Sequence, residues 1–252
     1  MSWCDKLASV PTVGFSLDWH FASANTILEA LSPTLDHMVR EEKPQFTVAN
    51  LDQFTVAIRG NDGFQYGVEP SKASVGFNHS VRTKAVSSGP PVLEMLSHAM
   101  PYTQLLDTVF EKLVTITLAV PDNRTRKVTK MGIVSSTQVH PDEAPPGIRR
   151  FIEYVGRPWQ GFLHAYSFQI VTELGQSPAG SDRCVHTLAK AEDERELLSL
   201  SFDWQRTLTP SRPINKDVLG DIIKRARFDA LKYFEDLAEG GRFDVDDGST
   251  QD

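Results

Sequence analysis

The chain has 252 residues, which is long enough to bury a substantial core in one large domain or two small ones. Hydrophobic residues make up 40% and charged residues 23%, a globular composition that excludes a largely disordered chain. The net charge is −7, from 33 acidic and 26 basic residues, so the chain lacks the basic excess typical of proteins that wrap duplex nucleic acid.

Alternation of apolar and polar residues predicts a first strand over 13–21. Residues 24–42 then have the apolar spacing of a helix, interrupted by Ser32 and Pro33. Proline is tolerated in a first helical turn but not in a helix interior. This segment is therefore either one kinked helix or two short helices, the second capped by Ser32.

Three further alternating segments predict an antiparallel meander with one wet face: 54–58, 64–68 and 75–81. Asparagine, aspartate and glycine at 60–63 favour a tight turn between the first two strands. A polar loop is expected over 84–91, then a short helix over 92–100. The apolar stripe that follows predicts a longer helix over 101–116.

The same pattern begins again after residue 123. A strand is predicted over 128–139 and a short helix over 148–155. Three more strands are predicted, over 162–174, 184–190 and 198–204. The clearest helix covers 216–239, and Gly240 with Gly241 ends it.

The sequence therefore predicts an α+β fold of two similar β-α-βββ-α halves. Each half is expected to be a curved antiparallel sheet covered by a long helix, in a helix-grip or TBP-like arrangement. The halves span 11–123 and 124–244 and form one compact unit, because no low-complexity linker separates them. Residues 1–10 are interpreted as a leader, and the acidic residues 245–252 as a disordered tail.

Four weak motifs carry a family resemblance: the strand at 11–15, the basic residue and glycine at 130–134, the apolar-aspartate strand at 198–203, and the long terminal helix with a later phenylalanine at 230–243. On these motifs the chain resembles a sporadically distributed family of uncharacterised prokaryotic proteins of about this length. The segment 133–137 departs from the family, whose run after the glycine is richer in arginine, tyrosine and asparagine. The resemblance implies no reaction, and its sporadic distribution suggests mobile gene clusters.

No motif for catalysis or for a cofactor is found. The chain has no G-x-S-x-G elbow, no phosphate-binding loop and no G-x-G-x-x-G. Cys184 and His186 would share one face of a strand and offer half of a metal site, but no second pair has matching spacing. We therefore expect no metal, no cofactor and no catalytic residue.

The cysteines and the chain start indicate a compartment. Cys4 and Cys184 are interpreted as free thiols in a reducing environment. The first residues lack the basic region and apolar run of a signal peptide, and threonines interrupt the longest apolar stretch, near 113–120. A cytoplasmic protein without membrane contact is expected.

Basic residues offer the best candidate binding site. Four of them fall within seven positions, and two more basic residues and one tryptophan could add to the site in three dimensions. The candidates are Arg124, Arg126, Lys127, Lys130, Arg149, Arg150 and Trp159. Such a patch would bind phosphate, nucleic acid or an acidic partner.

The sequence favours a non-catalytic binding or assembly protein, whose partner is another protein or a second copy of the chain. A place in a prokaryotic defence or mobile-element system is expected from the resemblance. One alternative is a nucleic-acid or nucleotide binder that uses a concave sheet and the patch at 124–130. The other is a hydrolase with a site built from scattered histidines and carboxylates.

Overall fold

A computed structural model describes residues 5, 10–18, 26–42, 46–51, 55–79, 81–84, 92–95, 100–156, 165–177, 180–190 and 197–239. The helices in this part are α1 (Ile27–Glu42), α2 (Tyr102–Leu118), α3 (Pro146–Gly156) and α4 (Lys216–Glu239), with a 3-10 turn at Pro141–Glu143. The strands are β1 (Val10–Leu17), β2 (Phe46–Leu51), β3 (Val56–Gly60), β4 (Phe64–Glu69), β5 (Lys72–Phe77), β6 (Val81–Lys84), β7 (Val92–Met95), β8 (Lys127–Val139), β9 (Tyr166–Ser177), β10 (Gly180–Lys190) and β11 (Leu198–Pro213).

Nine of these strands form one sheet in the order β2-β3-β4-β5-β1-β8-β11-β10-β9, and every neighbouring pair is antiparallel. The strands β6 and β7 pair with each other in a separate hairpin. The α+β class and the antiparallel sheet are thus confirmed. In the middle of the large sheet β1 pairs with β8, and this pairing joins the strands of residues 10–77 to the strands of residues 127–213.

Helices cover one face of the sheet. Alternate residues of the central strands point to this face and are fully buried, among them Phe15, Ile133 and Phe202. The helix α2 packs on β1 and β5, and α4 packs on α2, β8 and β11. Burial of one leucine or phenylalanine side chain contributes about 1.5–3 kcal/mol, so this layer supplies most of the driving force for folding.

A buried hydrogen bond and a ring contact fix α2 on this layer. The Tyr102 hydroxyl lies 2.7 Å from the Ser135 hydroxyl of β8. The Tyr102 ring also meets the edge of Phe234 of α4, with 4.9 Å between the ring centroids. A buried tyrosine needs a polar partner for its hydroxyl, and Ser135 provides one. The same hydrogen bond satisfies the hydroxyl of Ser135, so both polar groups are tolerated inside the core.

The opposite face of the sheet carries no helix among the described residues. Several side chains that alternate with the core residues are small or polar and half-exposed, such as Gly14 and Ser16 of β1 and Gln205 of β11, whereas Val134 of β8 is an exposed apolar residue. The helix α3 packs on α4, and α1 packs on α2, so both belong to the covered side. We call the uncovered side the open face.

The helix α1 is a single helix that contains Pro33, so the alternative of two short helices is wrong. Its start is a reciprocal pair of hydrogen bonds of 3.1 Å: the Thr26 amide donates to the Glu29 carboxylate, and the Glu29 amide donates to the Thr26 hydroxyl. The Ser32 hydroxyl donates to the carbonyl of Leu28 at 2.8 Å. Ser32 therefore satisfies a carbonyl inside the helix and does not cap a second one.

The prediction for the first part of the chain is wrong at three points. No strand was predicted at 46–51, where β2 lies, and the helix expected over 92–100 is contradicted by β7 at 92–95. The strand expected over 75–81 ends at Phe77, and Val81 begins the separate hairpin. Both missed strands belong to hairpins, β2 with β3 and β7 with β6, and such cross-strand pairing decides strand formation more strongly than local preference.

Some predictions fall outside the described residues. They include most of the leader at 1–10, the tail at 245–252, and residues 85–91 of the expected loop. None of the helices in the described part of the chain combines the length and apolarity needed to cross a bilayer.

Candidate functional site

A groove of about 270 Å³ lies on the open face where β5, β1, β8 and β11 run side by side. Its floor is one row of residues paired across these strands. Ser74 lies opposite Gly14, Gly14 opposite Gly132, and Gly132 opposite Gln205. Small side chains in the middle of the row leave the backbone of two central strands accessible from above.

The floor glycines are not explained by packing alone. A Cβ atom added at Gly132 would meet its nearest neighbour, the carbonyl oxygen of Trp204, at 3.8 Å, which is an ordinary contact. A Cβ at Gly14 would lie 3.1 Å from the carbonyl oxygen of Ala73, which is tight. Glycine weakens a strand interior, and in that place it often marks the close approach of a ligand or another backbone. Gly132 is therefore a candidate for such an approach.

Two lysines stand on one side of the floor. Lys72 of β5 and Lys130 of β8 both lie opposite Ser16 of β1, one on each flank. Two strand spacings separate their Cα atoms, about 10 Å. The Cε atom of Lys72 lies 3.8 Å from the place of a Cβ on Gly14, so this side chain leans over the floor. Among the described residues neither lysine forms an ion pair.

A hydrogen-bonded chain crosses the groove from Lys130. The Lys130 ammonium donates to the Gln205 side-chain oxygen. The Gln205 amide nitrogen donates to the Asp203 carboxylate at 2.8 Å. These two bonds fix the orientation of the Gln205 amide, because its oxygen faces a cation and its nitrogen faces an anion.

Asp203 forms the opposite corner of the groove. It lies on β11 between Val134 of β8 and Val185 of β10 in register, and within the described part of the chain no basic side chain pairs with it. Val134, its neighbour on β8, is four residues further along that strand than Lys130, about 13 Å. By strand position the two lysines lie on one side of the groove and Asp203 on the other, but the Lys130 ammonium reaches across and is joined to the Asp203 carboxylate through Gln205.

Of the basic patch predicted at 124–130, Lys130 alone lines the groove. Arg124 and Lys127 are exposed. Arg126 is only 4% exposed, and its guanidinium donates to the backbone carbonyls of Asp18, at 2.9 Å, and Pro70. Burial lowers the pKa of Arg126, against the attraction of nearby carboxylates. Arg126 therefore ties three segments together and presents no charge at the surface.

Arg149 and Arg150 are not brought to the patch. Both are exposed at the start of α3, which follows the far end of β8. The strand has 13 residues and so spans about 40 Å. Trp159, the last of the sequence candidates, lies outside the described residues.

A second polar cavity, of about 160 Å³, lies on the covered side between α4 and β11. Arg206 binds both oxygens of Asp182, with 2.6 Å from its Nε, and lies 3.5 Å from Asp229 of α4. Hydrogen bonding to Asp182 raises the pKa of Arg206, whereas burial raises that of Asp229. Because these charges are paired with one another, the cluster is an anchor for α4.

Cys184 and His186 are buried beside this cavity. The Cys184 sulfur lies 3.9 Å from Nδ1 of His186, and the Thr172 hydroxyl lies 3.1 Å from Nε2. The His186 ring stacks on Tyr233, with 5.1 Å between centroids. In the described part of the chain no group of three or more histidine, cysteine, aspartate or glutamate residues could hold a metal.

Apart from Lys130, the groove residues were missed from the sequence, although a signal was present. Three of the segments that carry the family resemblance, 11–15, 130–134 and 198–203, form adjacent strands of the sheet. Each supplies a groove residue, namely Gly14, Gly132 and Asp203. Their adjacency depends on strand order, which periodicity does not reveal.

A scan against protein-family models gave no match, and a search of the curated proteins gave none either. The family resemblance therefore stays a prediction, and the groove has to be interpreted from its own chemistry.

Proposed function

We propose that the chain is a non-catalytic binding protein and that the groove on the open face is its ligand site. The ligand carries an anionic group, a phosphate or a carboxylate, that sits over Ser16 between Lys72 and Lys130. The observation that carries this proposal is the placement beside the glycine floor of two lysines that form no ion pair with a described residue, although Glu69 of β4 lies opposite Lys72 in register.

Electrostatics favour an anion at this place. The Cα atoms of the two lysines lie about 10 Å apart, close to the screening length in physiological salt, so their like charges repel each other weakly. An anion between them relieves this repulsion and gains two charge-assisted hydrogen bonds. The Ser16 side chain, half-buried between the two, adds a further donor.

The overall charge limits the kind of anion. The net charge of −7 opposes the approach of a long polyanion such as duplex nucleic acid. A small anionic ligand is attracted by the two nearby lysines and is repelled only weakly by the acidic residues elsewhere on the protein. The 270 Å³ groove lies just below the volumes usual for drug-sized ligands, which also favours a small one.

The arrangement of the strands supports a second proposal, that the chain is built of two similar halves. In the first half α1 follows β1, and the later strand β5 returns beside β1. In the second half α3 follows β8, and β11 returns beside β8. A long helix, α2 or α4, ends each half, and β2 and the β6–β7 hairpin are additions to the first. The groove would then lie at the junction of the halves, a common place for ligand sites.

The biological setting is proposed from the family resemblance. A cytoplasmic role in a prokaryotic defence or mobile-element system, together with another protein or a second copy of the chain, is consistent with a protein that binds but does not catalyse. Affinity purification from the native host, followed by identification of co-purifying protein and nucleic acid, tests it. Recovery of the chain alone, as a monomer, would contradict the partner proposal.

The ligand site is tested by calorimetric titration of the purified chain with inorganic phosphate, nucleoside monophosphates and dicarboxylates. At least one anion should bind. Lys72→Ala and Lys130→Ala should each raise its Kd about tenfold, and the double variant should abolish binding. Lys224→Ala, which removes an exposed lysine of α4, is the matched control and should have no effect. The proposal fails if no anion binds, or if the control weakens binding as much as the groove variants.

A further inference from the structure

We infer that the chain forms a dimer in which the outer edge of β9 pairs antiparallel with β9 of a second copy, so that two nine-stranded sheets become one. This inference deepens the partner part of the proposed function, because it names the partner and the surface. It does not depend on the anion site, which is lined by strands other than β9.

The strand β9 is a long sheet edge. It covers Tyr166–Ser177, 12 residues that span about 40 Å, and within the described part of the chain only β10 pairs with it. The eight residues from Tyr166 to Glu173 are in regular register with β10, and the register shifts only beyond them. Their outer N–H and C=O groups can pair with a further strand. An antiparallel strand there would form about eight main-chain hydrogen bonds, as many as a whole protein interface often has.

The sequence of β9 lacks the features that usually keep sheet edges from pairing, which are proline, lysine, bulges and short length. It has no proline, lysine or arginine, and Glu173 is its one charged residue. The opposite edge, β2, has six residues and a register shift between Val48 and Asn50. Of the two edges of the sheet, β9 is therefore the one suited to pairing.

Apolar side chains are exposed at this edge. Ile170 is 36% and Val171 48% exposed, and they point to opposite faces of the sheet. On the covered side the helix α3 borders the strand, because the rings of Phe151 and Phe168 meet edge to face with 5.8 Å between their centroids. Tyr154, one turn further along α3, is also exposed. Of the five large apolar side chains exposed in the described residues, three therefore lie at this edge.

The edge is complementary to itself, which makes a second copy the partner. Residues paired across antiparallel strands share a face, so a two-fold axis perpendicular to the sheet sets one residue of β9 opposite its own copy. With Ile170 or Val171 in that position, the exposed apolar side chains bury one another and Glu173 lies opposite a neutral polar residue. Arg183 of β10 lies opposite Glu173 in register, so these charges balance and the two edges do not repel each other.

Sedimentation equilibrium of the full chain tests the dimer, which should form at micromolar concentration. Ile170→Lys and Val171→Lys should each raise the dimer Kd about a hundredfold, because the two-fold axis makes each lost apolar contact count twice and brings like charges together. Both side chains are partly exposed, so the folded monomer should tolerate lysine, and urea denaturation of each variant verifies this. Phe228→Lys, at a 62% exposed residue of α4, is the matched control and should stay dimeric.

Cross-linking locates the axis. In a Cys4→Ser background, Ile170→Cys or Val171→Cys should form a disulfide between two copies when treated with oxidised glutathione, because the residue at the axis lies beside its own copy. Phe228→Cys, which is more exposed, should form none on a non-reducing gel. Cys184 is 1% exposed and does not compete.

The outcomes separate this inference from the anion site. A dimer that the β9 variants weaken and Phe228→Lys does not would support the inference, and the same variants should bind anions normally. A monomer at every concentration overturns the inference and leaves the anion site standing. A dimer that depends on Phe228, or equally on all three positions, has its contact elsewhere and overturns the inference too. If the dimer forms and no anion binds, the groove proposal fails and the dimer stands.

Discussion

Gly14 of β1 lies directly opposite Gly132 of β8, at the centre of the nine-stranded sheet. Side chains at both positions would point to the open face, because the residues on either side of each glycine are buried against the helices. The two glycines therefore leave the backbone of β1 and β8 accessible from the open face. A substitution at one of these glycines can therefore fill the groove without necessarily changing the stability of the fold.

Gly132→Val should block the groove without weakening the fold. A Cβ at this position meets nothing closer than 3.8 Å, and a β-branched residue suits a strand interior better than glycine. We expect the free energy of unfolding to stay equal or to rise by up to about 1 kcal/mol, and anion binding to be lost. Urea denaturation and calorimetric titration measure the two effects.

Gly76→Val is the contrasting variant on the same face. A Cβ there would lie 2.7 Å from the Thr12 hydroxyl, so the side chain or the strand must shift. This variant should be destabilised by about 1–3 kcal/mol.

The binding result for Gly132→Val decides whether the groove is the site. If Gly132→Val bound anions as tightly as the unchanged chain, the groove would not be the anion site.

Arg126→Ala should destabilise the fold strongly. The substitution leaves the carbonyls of Asp18 and Pro70 without their donor in a buried place. The expected loss is about 3 kcal/mol in urea denaturation. Arg126→Lys should recover little of it, since one ammonium does not reproduce the forked geometry of the guanidinium.

Arg124→Ala provides the comparison for Arg126→Ala. Arg124 is exposed, so its loss should change stability by less than about 0.5 kcal/mol. If both arginines belonged to a basic surface patch, the two substitutions would change the free energy of unfolding equally, and both would weaken anion binding. That result would overturn the structural role of Arg126.

Periodicity in the sequence was sufficient to predict the bounds of an element when one face of that element packs against a neighbouring layer. The bounds of α4 agree with the predicted 216–239, because a continuous apolar stripe packs against α2 and the sheet. It was insufficient for β2 and β7, strands of six and four residues that are too short to show a clear period and that form by pairing with β3 and β6, their neighbours in the chain.

The groove could not be predicted for a related reason. Lys72, Lys130 and Asp203 come from strands far apart in the chain and meet only through strand order and register. Local clustering of basic residues pointed to 124–130 instead. Strict alternation would place Arg126 and Lys130 on one face, but the register of β8 against β1 shifts between Val128 and Lys130, so Arg126 is buried whereas Lys130 faces the groove.

Asp229 should make the stability depend on pH in a direction opposite to that of most carboxylates. Burial raises its pKa above the usual 3.8, against the attraction of Arg206 and Arg225. The folded chain therefore holds this proton more tightly than the unfolded chain does. Its contribution is fully present below pH 3.8 and is lost as the pH rises through the raised pKa.

Asp229→Asn removes this contribution and so isolates it. The stability of the unchanged chain relative to the variant should fall between pH 3 and pH 7, as measured by urea denaturation at each pH. Glu173→Gln, at an exposed carboxylate, should show no such trend. A difference that is constant with pH, or that grows with it, would contradict the raised pKa.

Cys184 should behave as a packing residue and not as a metal ligand or nucleophile. It is 1% exposed, and the neighbouring His186 ring is held between Thr172 and Tyr233. Buried thiols of this kind are inert towards reagents. In a Cys4→Ser background, a thiol reagent should label Cys184 only after unfolding, and Zn²⁺ or a chelator should leave the Tm unchanged.

Cys184→Ala should lower the free energy of unfolding by about 1 kcal/mol and leave anion binding intact, because the groove lies on the other face of the sheet. Rapid labelling of the folded chain, or a rise in Tm with Zn²⁺, would contradict this packing role and make Cys184 and His186 candidates for a functional site.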